Sequence, residues 1–384
     1  MKKIFALMLA LAMMITCVAA FAEEDVVTLK VAHIGPTTGG AALYGQATRD
    51  GAAIAVQEIN EAGGKYRIEL ISEDDEHNVE KAMNAYNAAL DAGAILIVGN
   101  TTSKPCETVG TQANIDRVFM ITPSASSEAA VEPDNVFQIC FTDPNQGAAS
   151  AQYIAGHALG TKVAVIYNNA DVYSQGIRDT FVEQAADLGL EIVSETTFTD
   201  ETTDFTVQVN DAQNNGAEIV FLPMYYTPAS MILQTAAQKE YKPIFFGVDG
   251  MDGILGVEGF DTSLAEGVML LTPFVANATD EKTVSFVTKY LAAYGNKPIQ
   301  FAADAYDAVY VLVAAAEKAG ITADMVAEAE ANSDPSAICE AMIAAMTEIE
   351  VEGLTGTMTW EESGMVTKTP LAATIVNGEY VFED

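Results

Sequence analysis

Short continuous apolar runs alternate along this chain with longer segments whose apolar positions fall three and four apart. Val26 to Ile34 is strand-like and stops at Gly35-Pro36. A helical pattern follows from about Gly45 to Glu61, with Ala52, Ile54, Ala55, Val56 and Ile59 apolar among polar positions, and Gly63-Gly64 ends it. Arg67 to Ile71 predicts a strand. The acidic segment Ser72 to Glu76 then leads into a helix over Val79 to Asp91. Ile95 to Val98 and Val118 to Ile121 are unbroken apolar runs, the mark of strands buried on both faces. A helical segment from about Lys104 separates them, and Val136 to Ile139 is one more strand. Strands and helices in this alternation predict a parallel sheet covered by helices.

The rhythm restarts after a connector at Phe141 to Gly147. Helices are expected over 146–158, 174–188, 204–214 and 228–239, with strands over 162–167, 190–196, 217–222 and 243–247. A strand at 268–271 and Thr272-Pro273-Phe274 form a second connector. Helices follow at about 280–294, 301–319, 322–331 and 336–347. From Leu354 the chain is β-rich, with turns at Glu361 to Gly364 and Asn377-Gly378. These late elements need places to dock, so the chain is expected to cross between two lobes several times.

The most informative chemistry sits at two strand ends. Ile95 to Val98 opens into Gly99-Asn100-Thr101-Thr102-Ser103, and Val118 to Ile121 into Thr122-Pro123-Ser124-Ala125-Ser126-Ser127. In a parallel sheet these turns lie at the carboxyl edge, where open α/β sheets bind ligands. Hydroxyls and free N–H groups at helix starts hold small anions, so Ser103, Ser124 and Ser126 are candidates for a carboxylate-sized site. The alternative is that these residues only cap helices.

Composition narrows the class. The 384 residues are half hydrophobic, which excludes disorder and allows two domains with real cores. Lys2 and Lys3, the apolar run Ile4 to Ala20 and Ala20-Phe21-Ala22 read as a secretory signal over 1–22, leaving a mature chain from Glu23. Cys17 follows Met14-Ile15-Thr16, a poor lipobox, so no lipid anchor is expected there. Losing Lys2 and Lys3 takes the net charge from −36 to −38, which repels nucleic acid and anionic membrane. Cys106, Cys140 and Cys339 are odd in number and widely spaced, so they read as buried free thiols. His33, His77 and His157 match no metal or catalytic spacing. The chain has no G-x-S-x-G elbow, and the Gly-rich stretch at 35–40 lacks the lysine of a phosphate-binding loop. No enzyme activity, metal or cofactor is expected.

Taken in order, these pieces resemble a known family. IGPTTGGAALYGQATRDGAAIAVQEINEAGG, SEDDE, ILIVGNTTS, ITPSASSE, FTDPNQG, VYSQG, TTDF, FGVDG, AEGV, ADAYDAVY and GLTGTMTW are similar, at matching spacing, to the periplasmic branched-chain amino-acid binding proteins, the solute receptors of ABC transporters. The resemblance implies a type I periplasmic binding fold: α/β, with two Rossmann-like lobes joined by three crossover segments. The connectors at 141–144 and 272–274, with a third near 353–355, would divide lobe I (23–142 plus 273–353) from lobe II (143–272 plus 354–384). It implies that the loop of Ser103, Ser124, Ala125 and Ser126 holds a ligand α-carboxylate, with Ser124 acting mainly through its backbone. It assigns Asp249 to the α-ammonium, and Tyr44, Tyr173 and Tyr225 to the pocket walls, with Tyr226 turned away from the cleft. His77 stands where relatives carry a disulfide cysteine, and Ser103-Lys104-Pro105 replaces a run of serines. Both changes touch side-chain preference. The implied partners are an amino acid, with Leu, Ile or Val as the default, and the membrane subunits of a permease. The receptor is expected to be a monomer in the periplasm or on the outer face of the membrane. Another small amino acid, an amide or urea, or a sensory co-receptor role, are the alternatives.

Overall fold

The structure, a computed structural model, describes residues 26–368 and 370–382. The expected signal segment and Cys17 lie outside the described residues. The first sheet is built from β1 (Val27–Gly35), α1 (Ala42–Ala62), β2 (Tyr66–Asp74), α2 (Val79–Asp91), β3 (Leu96–Gly99), α3 (Ser103–Asp116), β4 (Phe119–Thr122) and β5 (Val136–Gln138). Its strands run parallel in the order β2-β1-β3-β4-β5. Every residue of β3 and β4 is buried, which is why both read as unbroken apolar runs.

A second sheet follows from α4 (Asp143–Gly156), β6 (Lys162–Asn168), α5 (Val172–Asp187), β7 (Glu191–Phe198), α6 (Thr206–Asn214), β8 (Ile219–Leu222), α7 (Tyr226–Gln238), β9 (Ile244–Gly247) and β10 (Met269–Thr272). The parallel order β7-β6-β8-β9-β10 repeats the first sheet's order one unit later. The chain then adds α8 (Glu281–Tyr294), α9 (Gln300–Ala319), α10 (Ala323–Asn332) and α11 (Ser336–Met346), and a short hairpin, β11 (Val351–Gly353) and β12 (Gly356–Met358). It ends in β13 (Leu371–Val376) and β14 (Glu379–Phe382), which extend the second sheet antiparallel beyond β10. Asn377 and Gly378 turn that hairpin with φ of 53° and 75°, the left-handed pair a type I′ turn requires.

Two lobes therefore face each other, and the late helices return to the first. α9 packs along α1, and α10 and α11 contact β1 and β4. The α1–α9 approach is close because Gly51 has no side chain: a Cβ there would stand 1.9 Å from the Ala302 carbonyl oxygen. Residues 355–368 also stay with the first lobe. Trp360 Nε1 donates to Gln138 O at 2.8 Å, and Gln138 N donates to Gly364 O at 3.1 Å. Buried Lys368 donates to Ile139 O at 2.8 Å and to Thr355 Oγ1 at 2.5 Å, with Asp304 of α9 at 3.7 Å.

Local chemistry explains where elements differ from the pattern expected. α4 begins at Asp143, three residues early, because Thr142 Oγ1 caps Asn145 N at 3.3 Å and Pro144 suits the first turn. After β9 no long helix forms; short 3₁₀ turns at Asp249–Met251, Ile254–Gly256 and Thr262–Ala265 carry the chain to β10. His33 is a core residue, bonded to Thr48 at 2.8 Å and Ser72 at 3.2 Å, and burial pulls its pKa down to about 3. Cys106, Cys140 and Cys339 are free and buried. Among the described residues no helix is long and apolar enough to cross a membrane.

Gly51→Ala should lower the thermal midpoint, with a loss of about 1–3 kcal/mol from overpacking the α1–α9 contact. Scanning calorimetry beside the wild type checks this; an unchanged midpoint would show that the helices can separate without cost.

Candidate functional site

The carboxyl-end segments of the two parallel sheets meet: Tyr44 and His77, which follow β1 and β2, touch Tyr225 and Tyr226, which follow β8. On the first lobe, α3 starts without a side-chain cap. The hydroxyl of Thr102, its capping residue, shares a hydrogen bond with His77 Nδ1 at 2.9 Å instead. The first N–H groups of a 14-residue helix are thus left without an intrahelical acceptor. Ser103 Oγ accepts from Ser126 N at 3.2 Å and Ser127 N at 3.3 Å, which ties the two turns together. With its lone pairs so used, the Ser103 hydroxyl has its proton left to donate.

The two turns are brought together, but not every expected group is available. Ser124 Oγ donates to Thr101 O at 2.6 Å, so its side chain is committed to the loop. Ala125 is engaged at both backbone groups: its N–H donates to Thr122 Oγ1 at 2.9 Å, and its carbonyl accepts from Gln138 Nε2 at 3.0 Å. The Ala125 N–H is therefore committed to the loop, while its carbonyl oxygen keeps a second lone pair. Ser126 is fully buried and its hydroxyl makes no well-formed hydrogen bond.

The second lobe contributes a carboxyl and a wall of rings. Asp249 opens the 3₁₀ turn after β9 and is 4 % exposed. Tyr173, from the first turn of α5, donates its hydroxyl to Asp249 Oδ1 at 2.5 Å and accepts from Gly250 N at 2.9 Å. Only glycine fits at 250, where a Cβ would stand 2.5 Å from that hydroxyl and 3.0 Å from Met224 O. Tyr225, at the start of α7, stacks on Tyr173 with ring centres 4.8 Å apart and meets Tyr44 edge-on at 5.4 Å. Tyr44 crosses from the first lobe: its hydroxyl donates to Gly250 O and accepts from Tyr226 N at 3.2 Å.

Tyr226 departs from the expectation that it turns away. Its ring meets Tyr44 at 4.8 Å, and its hydroxyl accepts from Leu43 N at 3.1 Å, so it closes the seam between the lobes. The helix start that aims Tyr225 inward necessarily sets its neighbour against the facing lobe.

Several polar residues at the same place carry no motif. Gln146 Oε1 accepts from Asp249 N at 3.1 Å, and Gln300 Nε2 donates to Asp249 O at 2.8 Å. Asp252 Oδ2 accepts from Gln300 N at 2.7 Å. Among the described residues Ser126 Oγ, Asp143 Oδ1, Gln146 Nε2 and Gln300 Oε1 are buried without a hydrogen-bond partner. Sequence signals did exist: Gln146 stands in the first connector, and Gln300 opens a largely apolar helix. Their meeting at Asp249 depends on chain segments far apart.

The electrostatics favour a bound cationic group. Burial pushes Asp249 up to about 6, against the bond donated by Tyr173, and pushes Asp252 up to about 7. Burial also holds Asp143 well above the carboxylate range, with the Ser126 hydroxyl beside it pulling the other way and Asp249 adding to the rise. Hydroxyl and N–H donors thus stand on one side and Asp249 on the other, with the Asp143 carboxyl beside the Ser126 hydroxyl. Among the described residues no cluster of metal-ligating side chains occurs.

Comparison with known proteins agrees with this fold. The family described as periplasmic binding protein matches residues 28–379. A leucine-, isoleucine-, valine-, threonine- and alanine-binding protein of Pseudomonas aeruginosa is 26 % identical over 353 residues, covering 90 % of each chain. A leucine-binding protein from Thermotoga maritima superposes with a TM-score of 0.81 at 26 % identity, covering 93 % of this chain and 98 % of that one. A branched-chain amino acid transporter substrate-binding protein from Streptococcus pneumoniae, solved with isoleucine, gives 0.79 at 26 % identity, covering 93 % and 100 %.

Ser103→Ala removes the acceptor shared by two buried N–H groups. It should cost about 1–3 kcal/mol of stability, read as a lower thermal midpoint without ligand. An unchanged midpoint would mean that the two turns do not depend on that hydroxyl.

Proposed function

The chain belongs to the periplasmic binding protein family, and from that premise we propose that it is the solute receptor of an ABC importer, taking an α-amino acid between its lobes, with leucine, isoleucine and valine as the ligand set. One observation carries the reading: two hydroxyl-rich turns around an uncapped helix start lie near the buried Asp249 of the other lobe, whose charge acts on Asp143 beside Ser126. That is the donor and acceptor pattern of a zwitterion. The relatives' names supply the ligand set.

In this proposal the ligand carboxylate docks first on lobe I, on the Ser103 and Ser126 hydroxyls and the free N–H groups of α3, with Ser124 and Ala125 shaping the loop. The ammonium then meets Asp249 as lobe II closes, and Tyr44, Tyr173 and Tyr225 wall the side chain. Only the closed state touches both ends of the ligand, so binding favours closure. A hydrogen bond to a charged group contributes roughly 1.5–3 kcal/mol, and a few of them less the ordering cost reach micromolar binding at about −8 kcal/mol.

The lobes would divide at 142/143 and 272/273. We infer that the third crossing follows Lys368 rather than lying near 353–355, because Trp360, Gly364 and Lys368 bond to the first lobe. Secretion through the signal at 1–22, rather than lipidation at Cys17, would deliver a monomeric receptor to the permease outside the cytoplasm. The permease would recognise the closed form.

Asp249→Ala should weaken leucine binding at least about tenfold to a hundredfold, the loss of one charge-assisted bond. Unchanged affinity in calorimetry removes Asp249 from the site. The pH dependence has a definite sign. Asp249 binds an ammonium only when ionised and titrates near 6. Leucine affinity should therefore hold near pH 7 and fall about tenfold by pH 5. Titration calorimetry between pH 5 and 8 reads this; a flat profile contradicts the assignment.

A further inference from the structure

Beside the amino-acid site lies a second chamber of about 310 Å³ between the lobes, and it adjoins that site through two contacts. On the first lobe, Thr102, which precedes Ser103, is bonded to His77, and His77 lines the chamber. On the second, Tyr225 stacks on the ring that holds Asp249 and turns its other side to the chamber, meeting the His77 ring edge-on at 5.5 Å.

The chamber has an apolar floor and an acidic far wall. Phe198, Met224 and Met231 form the floor. Asp171 and Asp200 stand on the wall. Asp171 is 5 % exposed, and its Oδ1 has no hydrogen-bond partner among the described residues. Asp200 accepts from Asn168 Nδ2 at 2.6 Å, a neutral donor. The other charges are accounted for locally. Glu76 pairs with Lys81, burial lowers the pKa of His77 so that its ring is neutral, and Lys104 at the edge is exposed. Two carboxyls thus face one exposed ammonium. Burial and the nearby Asp200 push Asp171 up to about 7, with the Tyr173 and Ser174 N–H groups and Lys104 opposing.

We propose that the chamber receives the end of a basic amino-acid side chain, so that the receptor takes lysine or arginine as well as the branched-chain set. Leucine, isoleucine and valine end before the acidic wall. A lysine stem of about 6 Å, from bonds near 1.5 Å, is as long as a tyrosine side chain. The methylenes would rest on the apolar floor while the ammonium meets Asp171 and Asp200.

This inference rests on the amino-acid reading above, and the test separates the two. Titration calorimetry compares L-lysine and L-arginine with L-norleucine, which keeps the stem and lacks the charge, and with L-leucine. Lysine should bind at least tenfold more tightly than norleucine, and Asp200→Asn should reduce that ratio at least threefold. Asp171→Asn should reduce it further; norleucine or leucine binding to each variant reports that it has folded. Leucine and norleucine binding with no advantage for lysine overturns the basic-side-chain proposal and leaves the amino-acid receptor standing. An advantage for lysine that survives both substitutions overturns the assignment to this wall. Binding of none of the four overturns the amino-acid reading and this proposal with it.

Discussion

A carboxyl taken out of water needs a positive or hydrogen-bonding partner, and the seam between these lobes buries several at once. Asp249 has Tyr173, Asp252 has the Gln300 backbone, and Asp143 has an oxygen with no partner. Among the described residues no lysine or arginine bridges this group as Lys368 does near Asp304. Protein dipoles alone therefore carry the cost of ionisation, which is why burial lifts these pKa values. A ligand ammonium would supply the missing charge when the lobes meet, and so would couple closure to binding. The opposite lobe offers the complementary end, with an uncapped helix and the Ser103 hydroxyl, which accepts two N–H groups and keeps its proton to donate.

The fold brings these groups together by using one sheet order twice. In each sheet the strand order reverses beside the first strand of the unit, and loops at the carboxyl edge surround that point. The helices after β10 return to the first lobe and support it from outside, with Gly51 allowing α9 to lie directly on α1. Lys368 holds the start of the first crossing to Thr355 and lies close to α9, so the linking segments are braced by one buried cation.

Much of this was legible in the sequence because it is local. The buried strands β3 and β4 show as unbroken apolar runs, the hydroxyl turns follow them directly, and Asn377-Gly378 announces its hairpin. Elements whose placement depends on distant partners were harder to read. Gln146 and Gln300 look like ordinary helix-start residues until Asp249 arrives between them. Tyr226 reads as a spare aromatic until Tyr44 and Leu43 approach it from the other lobe. Residues 355–368 have strand character in either lobe, and the bonds to Gln138 and Ile139 decide which one they join. Ala125 sits in the expected loop, yet Thr122 and Gln138 already occupy its backbone.

The account's central claim is that both ends of a zwitterion are read across the seam. Titration calorimetry of the ligand-free protein with leucine and with 4-methylpentanoate, the same molecule without its amino group, tests this most directly. Leucine should bind, with the des-amino acid about 100-fold weaker or worse, because one charge-assisted bond is lost and Asp249 is left unpaired. Equal affinities, or tighter binding of the acid, would contradict the claim.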